Sequence, residues 1–269
     1  MHSLRGKILG YGLGDAEIIM LRFENITFTY KEAEKPVIEN LSFEVPDKSF
    51  VSIIGASGSG KTTIFRLLNG LEKPEKGQIT VDGKNIKELK NYAGYMPQQD
   101  LLFPWRTVEK NVMLPMQIKK VPKDQQKEKA KEMLKRVGLL DYAKKYPWEL
   151  SGGMRQRVSF ARTLCEGSNL MLLDEPFSAL DSITRMEMRE WLRSQWEELD
   201  KTILFITHDV EEALYLSEKI YVLTGNLVNA LKVVDVPLPR ERNANMLKDE
   251  NMRQLREELV ELLRREATE

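Results

Sequence analysis

A single cysteine, Cys165, stands in 269 residues, so no disulfide can close within the chain, and a reducing, cytosolic setting is expected. Two histidines, His2 and His208, are too few beside one cysteine to build a zinc site. Charge of one sign is lacking as well. The 41 Lys and Arg residues balance 41 Asp and Glu, which leaves no cationic field to gather nucleic acid or anionic lipid. Nucleic acid is therefore not an expected partner. No apolar run approaches the roughly 18 residues that span a bilayer, so action at a membrane would require another chain. With 42% hydrophobic and 30% charged residues, the composition is that of a folded globular protein.

Residues 1–20 carry Arg5 and Lys7 ahead of a short glycine-interrupted apolar run, Ile8 to Gly14. That run is too short for a signal peptide, and a flexible extension or an over-long start is expected instead. Leu21 to Tyr30 and Val37 to Pro46 alternate apolar and polar residues, as half-buried antiparallel strands do. Phe50 to Ile54, Leu170 to Leu173 and Thr202 to Thr207 are continuous apolar runs, the pattern of strands covered on both faces. Helical patterns follow from Lys61 to about Leu71 and from Ser182 to Leu199. Buried strands separated by helices predict an α/β fold with a parallel sheet. Gly77 is expected to turn the chain into a short strand, Gln78 to Val81, and Asp82-Gly83 to turn it back. The region from about Leu102 to Lys144 has another texture. Pro122 opens a charged stretch with Ala130, Met133, Leu134 and Val137 at helical spacing and Gly138 as a stop, which predicts a helical subdomain. Near the C-terminus, Met252, Leu255, Leu259, Leu262 and Leu263 form one stripe, expected to pack on the parent domain. The expected organisation is thus an extension at 1–20, a catalytic domain at 21–240 and a helical tail at 241–269.

Gly55-Ala56-Ser57-Gly58-Ser59-Gly60-Lys61-Thr62 matches the phosphate-loop pattern and sits between a buried strand and a helix, the context that pattern requires. Glycines let successive backbone N–H groups turn toward phosphate oxygens, and the helix N-terminus adds its positive end. Lys61 would carry charge to the β and γ phosphates, and the Thr62 hydroxyl would ligate Mg²⁺; Thr63 belongs to the same nucleotide-binding stretch. Lys61 is expected to face an open, solvent-filled loop. The loop alone implies a nucleoside triphosphate and leaves kinases, GTPases and motor ATPases open. Leu170 to Glu175 narrows the choice, because its strand ends in two carboxylates. Asp174 can hold Mg²⁺ through water, and Glu175 can orient and deprotonate an attacking water. Ser151, Gly152 and Gly153 open another helical run and form a second anion-binding helix end.

Leu150-Ser151-Gly152-Gly153-Met154-Arg155-Gln156-Arg157 resembles the signature motif of the ATP-binding cassette family, and the resemblance covers the chain from about Leu21 to Gly225. It implies a P-loop NTPase fold with an ABC-type ATPase core, an antiparallel β subdomain and a helical subdomain. It also implies a homodimer in which the phosphate loop of each subunit faces Ser151, Gly152 and Gly153 of the other, with ATP between them. Tyr30 then matches the aromatic residue that stacks on adenine. Gln98 matches the glutamine that reaches Mg²⁺ and the attacking water, and His208 the switch histidine at the γ-phosphate. Ser178-Ala179-Leu180-Asp181 resembles the loop that crosses the dimer interface. Met154 stands where glutamine is commoner, and Pro97 where an aromatic often precedes the glutamine. Neither departure removes a phosphate or metal ligand.

Within the family, the segment Leu101 to Val108 and the Met154 signature look like those of the nitrate, sulfonate and taurine importers, a group that includes transporters of pyrimidine vitamin precursors. Trp105 in that segment fits a core position equally well. The resemblance implies an ATPase subunit at the cytoplasmic face of the inner membrane, serving a membrane permease and, indirectly, an external solute-binding protein. An export or lipoprotein-release ATPase is the alternative within the family. A soluble cassette ATPase on DNA is disfavoured, because Lys61 and Ser151 lie too close along the chain for an intervening coiled coil. The ribosome-associated kind usually carries two cassettes, and one is present here. A plain phosphate-loop kinase would not need Ser151-Gly152-Gly153.

Overall fold

The computed structural model describes residues 18–56, 58–223, 227–229 and 231–266. Residues 1–17 of the expected extension therefore lie outside the described residues, as does Ser57. Alternation near the start of the chain builds β1 (Ile19–Phe28) and β2 (Ile38–Pro46), paired antiparallel with Phe23 opposite Phe43 and their rings stacked at 4.4 Å. Asn25, at φ 52°, marks a bulge that keeps both Phe23 and Ile26 buried despite their odd spacing. Beyond β3 (Phe50–Ile54) and α1 (Lys61–Leu68), β4 (Lys76–Val81) pairs with the other edge of β1. Gly77 is not a turn ahead of that strand but part of it. It sits at φ 82° facing the Asn25 bulge, where a Cβ would lie 2.2 Å from the Glu24 carbonyl oxygen. Asp82 and Gly83, both at positive φ, turn β4 into β5 (Lys84–Asn85) and complete a four-stranded sheet, β2-β1-β4-β5.

The second sheet adds β6 (Ala93–Met96), β7 (Leu170–Asp174), β8 (Thr202–Ile206), β9 (Lys219–Leu223) and β10 (Leu231–Asp235), in the order β10-β9-β3-β8-β7-β6. All pairings among β9, β3, β8, β7 and β6 are parallel, and β10 closes one edge antiparallel. The continuous apolar runs account for β3, β7 and β8, in which every residue is buried. Phosphate-loop, acidic, glutamine and histidine segments all leave the carboxyl ends of these parallel strands. That is the edge where open α/β sheets bind ligands.

Helices α2 (Val108–Val112), α3 (Leu114–Ile118) and α4 (Lys123–Arg136) follow β6, with Gly138 at φ 71° ending the last turn of the charged helix. Ala130, Met133, Leu134 and Val137 bury against Val108, Val112 and Met116, and against Val158 of α5 (Gly152–Leu164). Trp105 is 71% exposed and so does not belong to this core. Cys165 is buried within the core, and burial pushes its thiol up to about 12. Next come α6 (Ser182–Glu198), α7 (Val210–Leu216) and α8 (Glu250–Glu266). The C-terminal stripe packs on its own chain: Met252 and Leu259 are buried with Val210, Ala213, Leu214 and Val236. Among the described residues no helix is long and apolar enough to cross a membrane.

Candidate functional site

The phosphate loop leaves the buried end of β3 and closes on itself before α1 begins. Gly60, the residue before the helix, and Gly58 hold φ of 85° and 82°, where side chains other than hydrogen are strained. A Cβ on Gly55 would meet the Ser59 Oγ at 2.5 Å, and one on Gly60 would meet Val228 at 2.8 Å. Lys61 differs from expectation, being 6% exposed rather than turned to solvent. Its Nζ donates to the carbonyl oxygens of Gly55 (2.8 Å) and Ala56 (2.7 Å), so the ammonium curls back over the loop. Burial lowers its pKa, while the charges of Glu175 and Asp174 act to raise it. Thr62 is exposed; Thr63 is buried and shares its hydroxyl hydrogen bond with the Tyr30 hydroxyl at 3.0 Å. Tyr30 thus sits against the loop helix, edge-on to Phe28 and with the Arg66 guanidinium 6.0 Å from its ring centre.

Asp174 ends β7 with 7% exposure, and the Tyr95 hydroxyl donates to its Oδ2 at 3.2 Å. Burial raises its pKa, partly opposed by that hydrogen bond and by Lys61. Glu175 takes φ 42°, a conformation costly for a residue with a side chain, and its N–H donates to the Ile206 carbonyl of β8. Strain of this kind concentrates at functional sites. Its effect here is to turn the carboxylate out of the strand line. Gln98 Nε2 donates to Glu175 Oε2 at 3.3 Å and to Ser178 Oγ at 3.2 Å, and His208 Nδ1 lies 3.1 Å from the same Oε2. The Ser178 hydroxyl in turn donates to the Glu175 carbonyl at 3.0 Å. Two side chains far from it in sequence, Gln98 and His208, therefore converge on the Glu175 carboxylate.

Ser151 caps α5, its hydroxyl accepting from the Met154 N–H at 3.3 Å. Gly153 leaves no space for a side chain, since a Cβ would lie 2.7 Å from Thr184, and at Gly152 a Cβ would crowd Leu180 at 3.2 Å. Among the described residues no hydrogen bond joins Ser151, Gly152 or Gly153 to Lys61, Asp174 or Glu175. Gly152 shares an open cleft of about 600 Å³ with Gln98, Arg155 and Ser178. The structure thus gathers Gln98, Glu175 and His208, and sets Lys61 and Asp174 within electrostatic reach of Glu175. Tyr95 is not among the expected site residues, and Ser178, expected only in the interface-crossing loop, also bonds Gln98. Tyr95 lies on the short strand β6, where Gly94 interrupts an otherwise weak pattern, so only its packing against β7 brings it to Asp174.

A hard divalent cation takes oxygen donors and usually shares them with bound phosphates. The exposed Thr62 hydroxyl, the Asp174 carboxylate and the Gln98 amide oxygen are donors of that type. The Gln98 NH₂ is already committed to Glu175 and Ser178, which leaves the amide oxygen for a cation. Burial that disfavours the charged form of Asp174 also makes a neighbouring positive charge stabilising. The residues present fit Mg²⁺ with a triphosphate.

A family model described as ABC transporter matches residues 38–178. The chain is 42% identical over 245 residues to the formylaminopyrimidine import ATP-binding protein ThiZ of Halalkalibacterium halodurans, covering 91% of this chain and 95% of that protein. It is 38% identical over 235 residues to the aliphatic sulfonates import ATP-binding protein SsuB of Bacillus cereus, covering 87% and 91%. Among solved structures, a dimeric post-hydrolysis state of the ATP-binding cassette MJ0796 bound to ADP and Pi superposes with a TM-score of 0.70 at 31% identity, covering 82% of this chain and all of that one. Since the family match runs from β2 to just past the acidic end of β7, taking in the phosphate loop on the way, this chain belongs to the ABC transporter family and is an ATP-hydrolysing subunit of it.

Proposed function

We propose that this protein is the ATPase subunit of an importer, in which two copies close head to tail around ATP and drive a separate membrane permease. The observation that carries the chemistry is the Glu175 carboxylate, held between Gln98 and His208 beside the phosphate loop. In this reading Lys61 leaves the Gly55 and Ala56 carbonyls for the β and γ phosphates. Tyr30 offers its ring to adenine, and the backbone N–H groups of Gly58 to Thr63 face the phosphates. Thr62, Asp174 and Gln98 would hold Mg²⁺, which when bound neutralises charge on the β and γ oxygens. Glu175 takes a proton from water as the water oxygen attacks the γ-phosphorus and the bond to ADP breaks. His208, with Nδ1 against Glu175, stands on the side of the site where the γ-phosphate would lie.

Ser151, Gly152 and Gly153 act in trans, on ATP held by the second copy. The dimeric cassette bound to ADP and Pi supports that assignment. The names of the similar import proteins, which specify a formylaminopyrimidine and aliphatic sulfonates, support a cargo among nitrate, sulfonates, taurine or a pyrimidine vitamin precursor, and with import come a membrane permease, an external solute-binding protein and action at the cytoplasmic membrane face. Residues 21–240 are the proposed ATPase domain, with the helical subdomain at 102–144 facing the permease.

Glu175→Gln tests the reading. Glutamine keeps the size of the side chain but cannot take the proton, so turnover should fall by about 10²–10⁴ while ATP affinity persists. Size-exclusion chromatography should then show a dimer with ATP and Mg²⁺, and a monomer with ADP. Turnover at the parent rate would remove Glu175 from the base role, and a monomer at saturating ATP would overturn the head-to-tail dimer.

A further inference from the structure

Glu212 lies at 4% exposure in α7, a helix whose buried face is otherwise apolar. An aliphatic side chain there would avoid the penalty of burying a carboxylate. The carboxylate does make one close contact: the Thr207 hydroxyl donates to Glu212 Oε2 at 2.5 Å. The same Thr207 oxygen accepts the Asp209 N–H at 3.0 Å. Thr207 and Asp209 are the residues on either side of His208, so this bonding fixes the backbone that carries the imidazole. Asp209 also caps α7, its Oδ1 accepting from the N–H groups of Glu211 (2.8 Å) and Glu212 (3.2 Å).

Arg185, on α6, joins this unit to the other side of the site. Its Nη2 donates to the Leu180 carbonyl at 3.0 Å, while Nη1 and Nε stand 3.7 Å and 3.9 Å from the carboxylates of Asp209 and Glu212. Leu180 belongs to the loop whose Ser178 hydroxyl is bonded to Gln98 and to the Glu175 carbonyl. Two connections therefore run between Ser178 and His208. The front one passes by hydrogen bonds through Gln98 and the Glu175 carboxylate, and the rear one through Leu180, Arg185, Glu212 and Thr207, with the Arg185–Glu212 step an electrostatic contact and not a hydrogen bond.

We infer that Thr207, Glu212 and Arg185 are positioning residues for ATP hydrolysis, bracing His208 against Glu175 from behind and tying its position to the Ser178–Asp181 loop. This rests on the proposed role of His208. A brace built from one hydroxyl–carboxyl hydrogen bond and a guanidinium between two segments sets alignment without touching nucleotide. Its loss should therefore lower kcat and leave KM for ATP nearly unchanged.

The test is a set of double-mutant cycles with His208→Ala, read by single-turnover ATP hydrolysis at high enzyme concentration so that slow rates remain measurable. Thr207→Val and Arg185→Met should each lower the rate about tenfold with KM within about twofold, and Thr207→Ser should restore it. In the His208→Ala background neither substitution should cost anything more. A second readout comes from the two histidines of the chain, which give two imidazole resonances, one assigned to His208 by its loss in His208→Ala. Thr207→Val and Arg185→Met should move the His208 line and leave the other in place. Losses that remain additive in the His208→Ala background, a raised KM at unchanged kcat, or an unmoved His208 line would each overturn the brace. Should His208→Ala itself hydrolyse ATP at the parent rate, the proposed role of His208 fails and the brace with it. An inactive His208→Ala beside fully active Thr207→Val and Arg185→Met overturns the brace alone.

Discussion

Replacing Glu212 with glutamine should stabilise the protein at pH 8 far more than at pH 5. Burial is the largest influence on this carboxyl and pushes its pKa from the ordinary 4.5 to about 7; the Thr207 hydrogen bond opposes the rise, Asp209 adds to it, and Arg185 and His208 oppose it further. The folded state therefore keeps a proton that the unfolded chain releases. Stability from this group is fully present below pH 4.5 and is lost as the pH rises through 7. At 1.36 kcal/mol per unit, the parent loses about 2.5 kcal/mol through Glu212 between pH 5 and pH 8. Glutamine is neutral at both values and keeps an oxygen for Thr207, so the variant escapes that loss. Urea unfolding of both proteins at both pH values measures it, because the variant-minus-parent difference removes the contributions of groups not coupled to Glu212. With a slope of about 3 kcal/mol per molar urea, the gain in midpoint at pH 8 should exceed that at pH 5 by about 0.8 M. An equal difference at the two pH values would show that the carboxyl is not held protonated by its surroundings.

Lys61→Ala should lower ATP affinity by at least about tenfold, the worth of one charge-assisted hydrogen bond to phosphate, and should also lower the melting temperature, because it leaves the Gly55 and Ala56 carbonyls without their donor. Calorimetric titration with ATP checks it, and parent-like binding would refute the phosphate-loop assignment. Ser151→Arg should abolish turnover while one subunit still binds nucleotide. The lost cap costs about 1 kcal/mol of helix stability, too little to unfold the chain, and full ATPase activity in the variant would rule out a site shared between two copies.

Much of the site was legible because its signals are local. The phosphate loop needs closely spaced glycines at left-handed φ next to a lysine, and Gly58, Gly60 and Lys61 fall within four residues of the chain. The acidic pair ends a run of apolar residues, so Leu170 to Glu175 declares both its strand and its carboxylates. Burial on both faces of a parallel sheet likewise removes alternation from β3, β7 and β8, which made the α/β core readable. Short elements carried no such pattern. β6 is four residues long and includes a glycine, so its strand state comes from pairing with β7 and not from its own sequence.

What the tertiary structure alone decided are the positions set by contacts between distant segments. Trp105 fits core or surface by composition, and it is exposed because Asn111 holds the neighbouring Phe103–Thr107 backbone through four hydrogen bonds. Lys61 is drawn from solvent by loop carbonyls that exist as a cradle only once the loop has closed. Glu212 reads as an ordinary charge on a short helix, and only the packing of α7 buries it and brings Thr207 against it. Sequence determines which groups can donate, accept or ionise. The fold determines which of them lose water and meet, and that loss of water is what turns Asp174, Lys61 and Glu212 from ordinary charges into perturbed ones.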